Sequence, residues 1–246
     1  MLRIRRIRVS DAVAVAGDVL DDDLSPRAFT QAQALPDDRA NAMWLGSEEA
    51  LRPLGLSNSS EVAVARLATV LGTSRGAFDL TFWAPSSASW VWATTDDAKL
   101  RADLEHAMVK ATNYLLAYLV ENQPVVDNEK PAAGFAAALA LHARVWRVEG
   151  EEIPPPQLHT HSLLVGVMDD HGRIGPANGD ALFGETVARL VGAVGRAVLA
   201  EELVKLGFQI EAGTGYQRRY FEIDGVPKEL LNPDAWRHSV CCDRTE

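Results

Sequence analysis

The chain has 246 residues, 47% of them hydrophobic and 24% charged, the balance of a globular protein long enough to bury a full core. Its net charge of −10 excludes broad, sequence-independent affinity for nucleic acid, because that affinity comes from Lys and Arg displacing counterions from phosphates. Two adjacent cysteines, Cys241 and Cys242, cannot frame a disulfide-stapled fold, and the sequence has neither a signal peptide nor a run of about 18 apolar residues, so a cytoplasmic protein with no membrane partner is expected.

The first segment, "LRIRRIRV", alternates apolar and basic residues, which predicts an edge strand with its arginines in solvent. In "SDAVAVAGDVLDDD" Ser10 or Asp11 can cap a short helix. The acidic run Asp21, Asp22, Asp23 and "SPRAFTQAQALPDDRANAMW" lack periodicity and predict a mobile loop or lid. A helix over "SSEVAVARLATVLGTS" would be capped by Ser60 and end near Gly72. In "AFDLTFWAPSSASWVWA", Phe78, Leu80 and Phe82 alternate with Asp79 and Thr81, the pattern of a half-buried strand broken at Pro85. Trp83, Trp90 and Trp92 suit a core better than a base-stacking platform.

From Asp96 to Asn122 the apolar residues recur at helical spacing, and His106 on that helix is expected to be packed or capped. "GFAAALALHARVWRV" reads as a long strand carrying His142, "EGEEIPPP" as a turn, and "QLHTHSLLVGVM" as the antiparallel return. In "ETVARLVGAVGRAVLAEELVKLG" a long helix turns Val187, Leu190, Val191, Val194, Val198 and Leu203 inward and stops at Gly207. Short strands near "FQIEA" and "RRYFEID" flank a "GTGYQ" turn, and "VPKELL" starts a last helix. With no repeat or low-complexity linker, the expected fold is α+β: one domain over 1–246, an antiparallel sheet flanked by helices, with residues 1–60 as N-terminal strand, helix and mobile loop.

Side chains alternate faces along a strand, so His159 and His161 share one face, with Thr160 on the other. A hairpin pairing with the preceding strand brings His142 beside them. Three imidazoles suit a divalent ion (Mg, Mn or Zn) and leave coordination positions open for a substrate oxygen, whereas structural zinc sites are closed and rich in cysteine.

"PPPQLHTH" resembles the "DPQLHTH" signature of MobF-type, TrwC-like conjugative relaxases of the HUH endonuclease superfamily. "FDLTFWAPSSASW" is similar to that family's "DLTFSAPKSVS", "GFAAALALH" to the segment carrying its first metal histidine, and "AEELVKLGFQIE" with "IDGVPKELL" to its C-terminal part, all in the same order. The resemblance implies an HUH relaxase-like fold with His142, His159 and His161 as metal ligands polarising a scissile phosphate of single-stranded DNA. It further implies that Asp79 is a catalytic residue that orients a ligand histidine and assists the nucleophile.

Three departures from the family pattern concern activity. Relaxases of this kind attack DNA with an N-terminal tyrosine, but here Asp18 and Val19 stand at the matching positions, and the four tyrosines are Tyr114, Tyr118, Tyr216 and Tyr220. The lysine of "APKS" is Ser86, which removes a phosphate contact. A longer connection between His142 and His159 carries Glu149, Glu151 and Glu152. Tyr114 and Tyr118 lie at i and i+4 on one helix face, a spacing reminiscent of paired-tyrosine replication initiators; core packing is the preferred reading, with a nucleophilic role as the alternative. The expected function is a relaxase-like domain, impaired in nicking, that binds single-stranded DNA, a DNA hairpin or relaxosome proteins. The alternative is an active single-strand endonuclease using metal-bound water or an unusual tyrosine. His171 in "DDHGR" and His238 near the tail are read as incidental, and no Walker A segment signals a helicase.

Overall fold

The computed structural model describes residues 2–20, 42–74, 76–126, 130–143, 156–213 and 220–231. Asp21 to Asp23, the connection with Glu149, Glu151 and Glu152, Tyr216, His238 and both cysteines lie outside the described residues. In strand β1 (Leu2–Ile7) the predicted alternation is realised: Leu2 and Ile4 turn to one apolar cluster, while Arg3, Arg5 and Ile7 share the other face. After a short 3₁₀ turn comes helix α1 (Ala12–Leu20), which buries Ala12, Ala16 and Val19, residues spaced at i, i+4 and i+7.

Further along are β2 (Ala42–Gly46), α2 (Glu48–Leu51), α3 (Val64–Thr73), β3 (Ala77–Trp83), α4 (Ser86–Thr94), α5 (Ala98–Asn122), β4 (Gly134–His142), β5 (His159–Met168), β6 (Ile174–Gly175), α6 (Gly179–Leu182), α7 (Glu185–Lys205), β7 (Ile210–Ala212) and β8 (Phe221–Ile223). The main sheet runs β1-β3-β5-β4-β2 with every neighbouring pair antiparallel, and β6 pairs with β5 beyond it. Helices α5 and α7 cover one face, which holds Phe78, Leu80, Phe82, Leu139 and Leu141. The other face holds Ala136, Ala138, Ala140, Leu163 and Val165 in one apolar cluster with α1 and α3. The α+β sheet with flanking helices is therefore as predicted.

Several local expectations are corrected. Ala42 to Trp44, read as loop, begin edge strand β2; so short a strand shows no period, and it is held by its ladder to β4 and by bonds between Trp44 and Ser59–Ser60. Ser60 does not cap α3: its carbonyl accepts from Trp44 N, and the cap position is Ala63, without a side-chain bond. Strand β3 is buried from Ala77 to Phe82 rather than half-buried, because both faces of the sheet are covered there, so that Asp79 and Thr81 are enclosed as well as the phenylalanines. Past Pro85 the chain enters α4, with Trp92 buried and the Trp90 indole donating to Leu230 O. His106 is exposed on α5. "VPKELL" forms only a 3₁₀ turn at Lys228–Leu231.

On α7 the buried stripe includes Val191, Gly195, Leu199 and Leu203, and Leu190 is 42% exposed. Gly195 sets this rotation: a Cβ there would come within 2.8 Å of Leu115 Cδ2 and 3.1 Å of the Phe82 ring, so the helix backbone itself lies against the core. Gly207, with φ of +94°, follows the helix end as predicted. No described helix is long and apolar enough to cross a membrane. Gly195→Leu, which forces a side chain into that contact, is expected to destabilise the protein by about 1–3 kcal/mol. The check is a urea denaturation with a lowered midpoint and an unchanged slope.

Candidate metal centre

Strand β5 begins at the histidines because Leu158 N is bonded to Ser89 Oγ and Leu158 O accepts from Ala84 N, which fixes the strand entrance against α4 and the end of β3. From there the alternation sends His159 and His161 to the face of α1 and α3. Thr160 goes to the opposite face, where its hydroxyl meets Thr112 of α5 at 2.9 Å. The hairpin register sets His142 directly opposite His159, and Ala140 opposite His161. The three rings converge, with centroids 4.8 to 5.3 Å apart. Each offers one ring nitrogen, and these nitrogens lie within 4.8 Å of one another.

The partners of each ring decide its tautomer. His159 Nδ1 is 2.8 Å from Gln157 O, and His161 Nδ1 is 2.9 and 3.0 Å from the two Asp79 oxygens. Carbonyl and carboxylate oxygens only accept, so both Nδ1 atoms carry a proton, and Nε2 is the nitrogen through which either ring would ligate a metal. His142 is the reverse: its Nε2 donates to Val19 O at 2.7 Å, which leaves the lone pair on Nδ1. Burial, with the neighbouring His161 second, pushes His142 down to about 4. Burial, then His161 and His142, holds His159 well below the ordinary histidine range. Two of the three rings are therefore neutral at neutral pH, as ligation requires.

This donor set fits a divalent ion. Three imidazoles from a rigid hairpin, one held by a carboxylate and two by main-chain carbonyls, have the outer-shell support that ligating histidines need. His142, His159 and His161 would hold the ion. Asp79 reaches His161 diagonally, since Thr81 is the residue directly opposite in the β3–β5 register, and Thr81 Oγ1 lies 3.5 Å from both Asp79 and His161. Trp83, opposite His159, stacks on its ring at 6.0 Å and 20°.

The other candidate residues fall elsewhere. Tyr114 and Tyr118 are on α5, which packs on the face away from the histidines; Tyr118 lies against the core and Tyr114 is 54% exposed. Tyr220 sits beneath the Arg196 guanidinium of α7. His171 lies in the Asp169–Arg173 turn. At the start of α4, next to Ser86, Ser87 N donates to Glu222 Oε2, so a carboxylate of the β7–β8 hairpin occupies this helix terminus. Gln157, Val19 and Arg5, which is 3.5 Å from Asp79, were not singled out by sequence as partners of this cluster. Gln157 lies inside the quoted "PPPQLHTH", and Arg5 is on the alternating first strand, but neither motif names its partner.

Residues 11–241 match the pattern that defines the TrwC relaxase family. Solved structures of conjugative relaxase TrwC share the fold. One, in metal-bound complex with oriT DNA, is 22% identical with a TM-score of 0.69, covering 94% of this chain and 78% of that one. Another, bound to a 27-mer DNA with the recognition hairpin and the cleavage site, is 20% identical with a TM-score of 0.68, covering 97% and 80%. A copper-bound complex with oriT DNA gives 22% and 0.68 over 97% and 80%. No curated protein sequence matches the chain. The ligand geometry predicts that His161→Ala abolishes binding of manganese or zinc. Asp79→Asn, which spares the ligands and loses only the orienting carboxylate, should weaken it about 10- to 100-fold. Isothermal titration of each folded variant measures both effects.

Proposed function

The chain belongs to the TrwC relaxase family, and we propose that it is a member with the metal centre but without the tyrosine nucleophile, binding single-stranded DNA and impaired in nicking. Val19 carries this reading. It is buried at the end of α1, its carbonyl is hydrogen-bonded to His142, and its aliphatic side chain cannot attack phosphorus. By resemblance, the family's nucleophilic tyrosine belongs at residue 18 or 19, so the segment that should deliver it does reach the centre, but residue 19 has no hydroxyl to offer.

The remaining residues retain separable roles. His142, His159 and His161 hold a divalent ion, which when bound supplies Lewis acidity toward a phosphate oxygen. Asp79 accepts from His161 Nδ1 and so orients the ring to ligate through Nε2. Trp83 buttresses His159 from the strand edge. DNA is the partner supported by the family and by TrwC itself, whose structures contain oriT DNA. The chain's net charge of −10 restricts such binding to a local contact rather than a broad basic surface.

The test is incubation of the protein with manganese and a panel of labelled oligonucleotides, each a hairpin followed by a single strand. Anisotropy and a denaturing gel are read together. Binding without a cleaved strand or covalent adduct is expected. Cleavage that leaves protein attached to DNA would overturn the reading, and loss of that adduct in Tyr114→Phe or Tyr118→Phe would name the residue responsible. Cleavage without an adduct, abolished in His161→Ala, would instead make the chain a nuclease that uses water.

A further inference from the structure

We infer that Arg5, on edge strand β1, is a phosphate-binding residue of the metal centre, clamping the backbone of a single-stranded nucleic acid beside the histidines. The inference rests on the DNA-binding reading above and adds a named residue to it. Antiparallel pairing sets Arg5 directly opposite Asp79. Both side chains therefore project from the histidine face, and Arg5 Nη2 approaches Asp79 Oδ2 at 3.5 Å. Asp79 in turn holds His161. A continuous row of guanidinium, carboxylate and imidazole thus leads from the edge of the sheet into the centre.

The two ends of that row differ in exposure. The Asp79 side chain is 3% exposed and that of Arg5 is 51% exposed. A guanidinium has five N–H donors in a planar fork, and a contact through one terminal nitrogen leaves donors that can take a phosphate oxygen. A cation is also needed there on electrostatic grounds. A phosphodiester nearing the histidines enters the field of the Asp79 carboxylate that holds His161, in a chain of net charge −10. Arg5 offsets that carboxylate and places an exposed positive charge on the sheet edge beside it, where a backbone phosphate can reach it. Arg6 on the same strand is exposed on the opposite face, paired with Phe78, and provides an internal comparison.

The experiment measures the salt dependence of oligonucleotide affinity for wild type, Arg5→Gln, Arg5→Lys and Arg6→Gln, together with manganese affinity in the absence of DNA. One lost phosphate contact on a single strand lowers the slope of log affinity against log salt by about 0.7. That loss is expected in Arg5→Gln, with the slope kept in Arg5→Lys and Arg6→Gln. An Arg5→Gln protein with weakened manganese binding and an unchanged salt slope would overturn the inference alone, because Arg5 would then only steady Asp79. Failure of the wild type to bind any member of the panel would overturn the DNA-binding reading and this inference with it.

Discussion

The antiparallel pairing of β4 with β5 is the constraint on which the site depends. Side chains in a sheet have a period of two, so a slip of one residue would send His159 and His161 to the α5 side and bring Thr160 into their place. The register is held from both faces. Leu139 and Leu141 are buried in the cluster under α5 and α7, while Ala138 and Ala140 belong to the cluster with α1 and α3. Thr160, bonded to Thr112, has its own polar partner on the helix side. Any slip would place imidazoles in an apolar layer and alkyl groups at the centre, so the hydrophobic pattern and the metal ligands specify one alignment together.

Electrostatics then distinguish the ligands. A buried carboxylate is costly to desolvate unless it is paired or hydrogen-bonded, and Asp79 is both, through His161 Nδ1–H and the Arg5 guanidinium. His142 and His159, deeper in the fold, are kept neutral by burial. Two of the three donors are thus neutral, and the Asp79–Arg5 ion pair lies beside the third, His161. An arriving cation therefore meets two neutral imidazoles, and an exposed guanidinium stands beside the carboxylate that holds the third.

Much of this was legible in the sequence because it depends on local periodicity. The alternation of "LHTHSLLVGV" gave the shared face of His159 and His161, and the preceding apolar run gave the antiparallel partner with His142. Burial was harder to read. Asp79 and Thr81 look like the solvent side of a strand, yet both are buried, with Asp79 against His161 and Arg5, partners that no local spacing reveals. Leu190 and Leu199 both fit a helical stripe, and the choice between them was made by the close approach at Gly195, a tertiary contact. The partners Val19 and Arg5 were hidden for a similar reason: each lies more than seventy positions from its contact, and no spacing rule links a helix end or an edge strand to a particular ring.

On the proposed reading, the division of labour between elements explains how a metal centre can persist without its nucleophile. The histidines belong to the β4–β5 hairpin in the middle of the sheet, held between two apolar layers. Residue 19 belongs to α1, a separate helix joined to that face through Ala12, Ala16 and its own buried side chain. An aliphatic residue at this helix end adds to the apolar packing, by about 1.5–3 kcal/mol for a fully buried side chain, and is hydrogen-bonded to the centre through its main-chain carbonyl. Because that carbonyl is common to every residue type, the hydrogen bond to His142 does not depend on which side chain stands there. On that reading, changing residue 19 alters the chemistry available at the site while the histidines, their hydrogen bonds and the sheet register are maintained by other parts of the molecule.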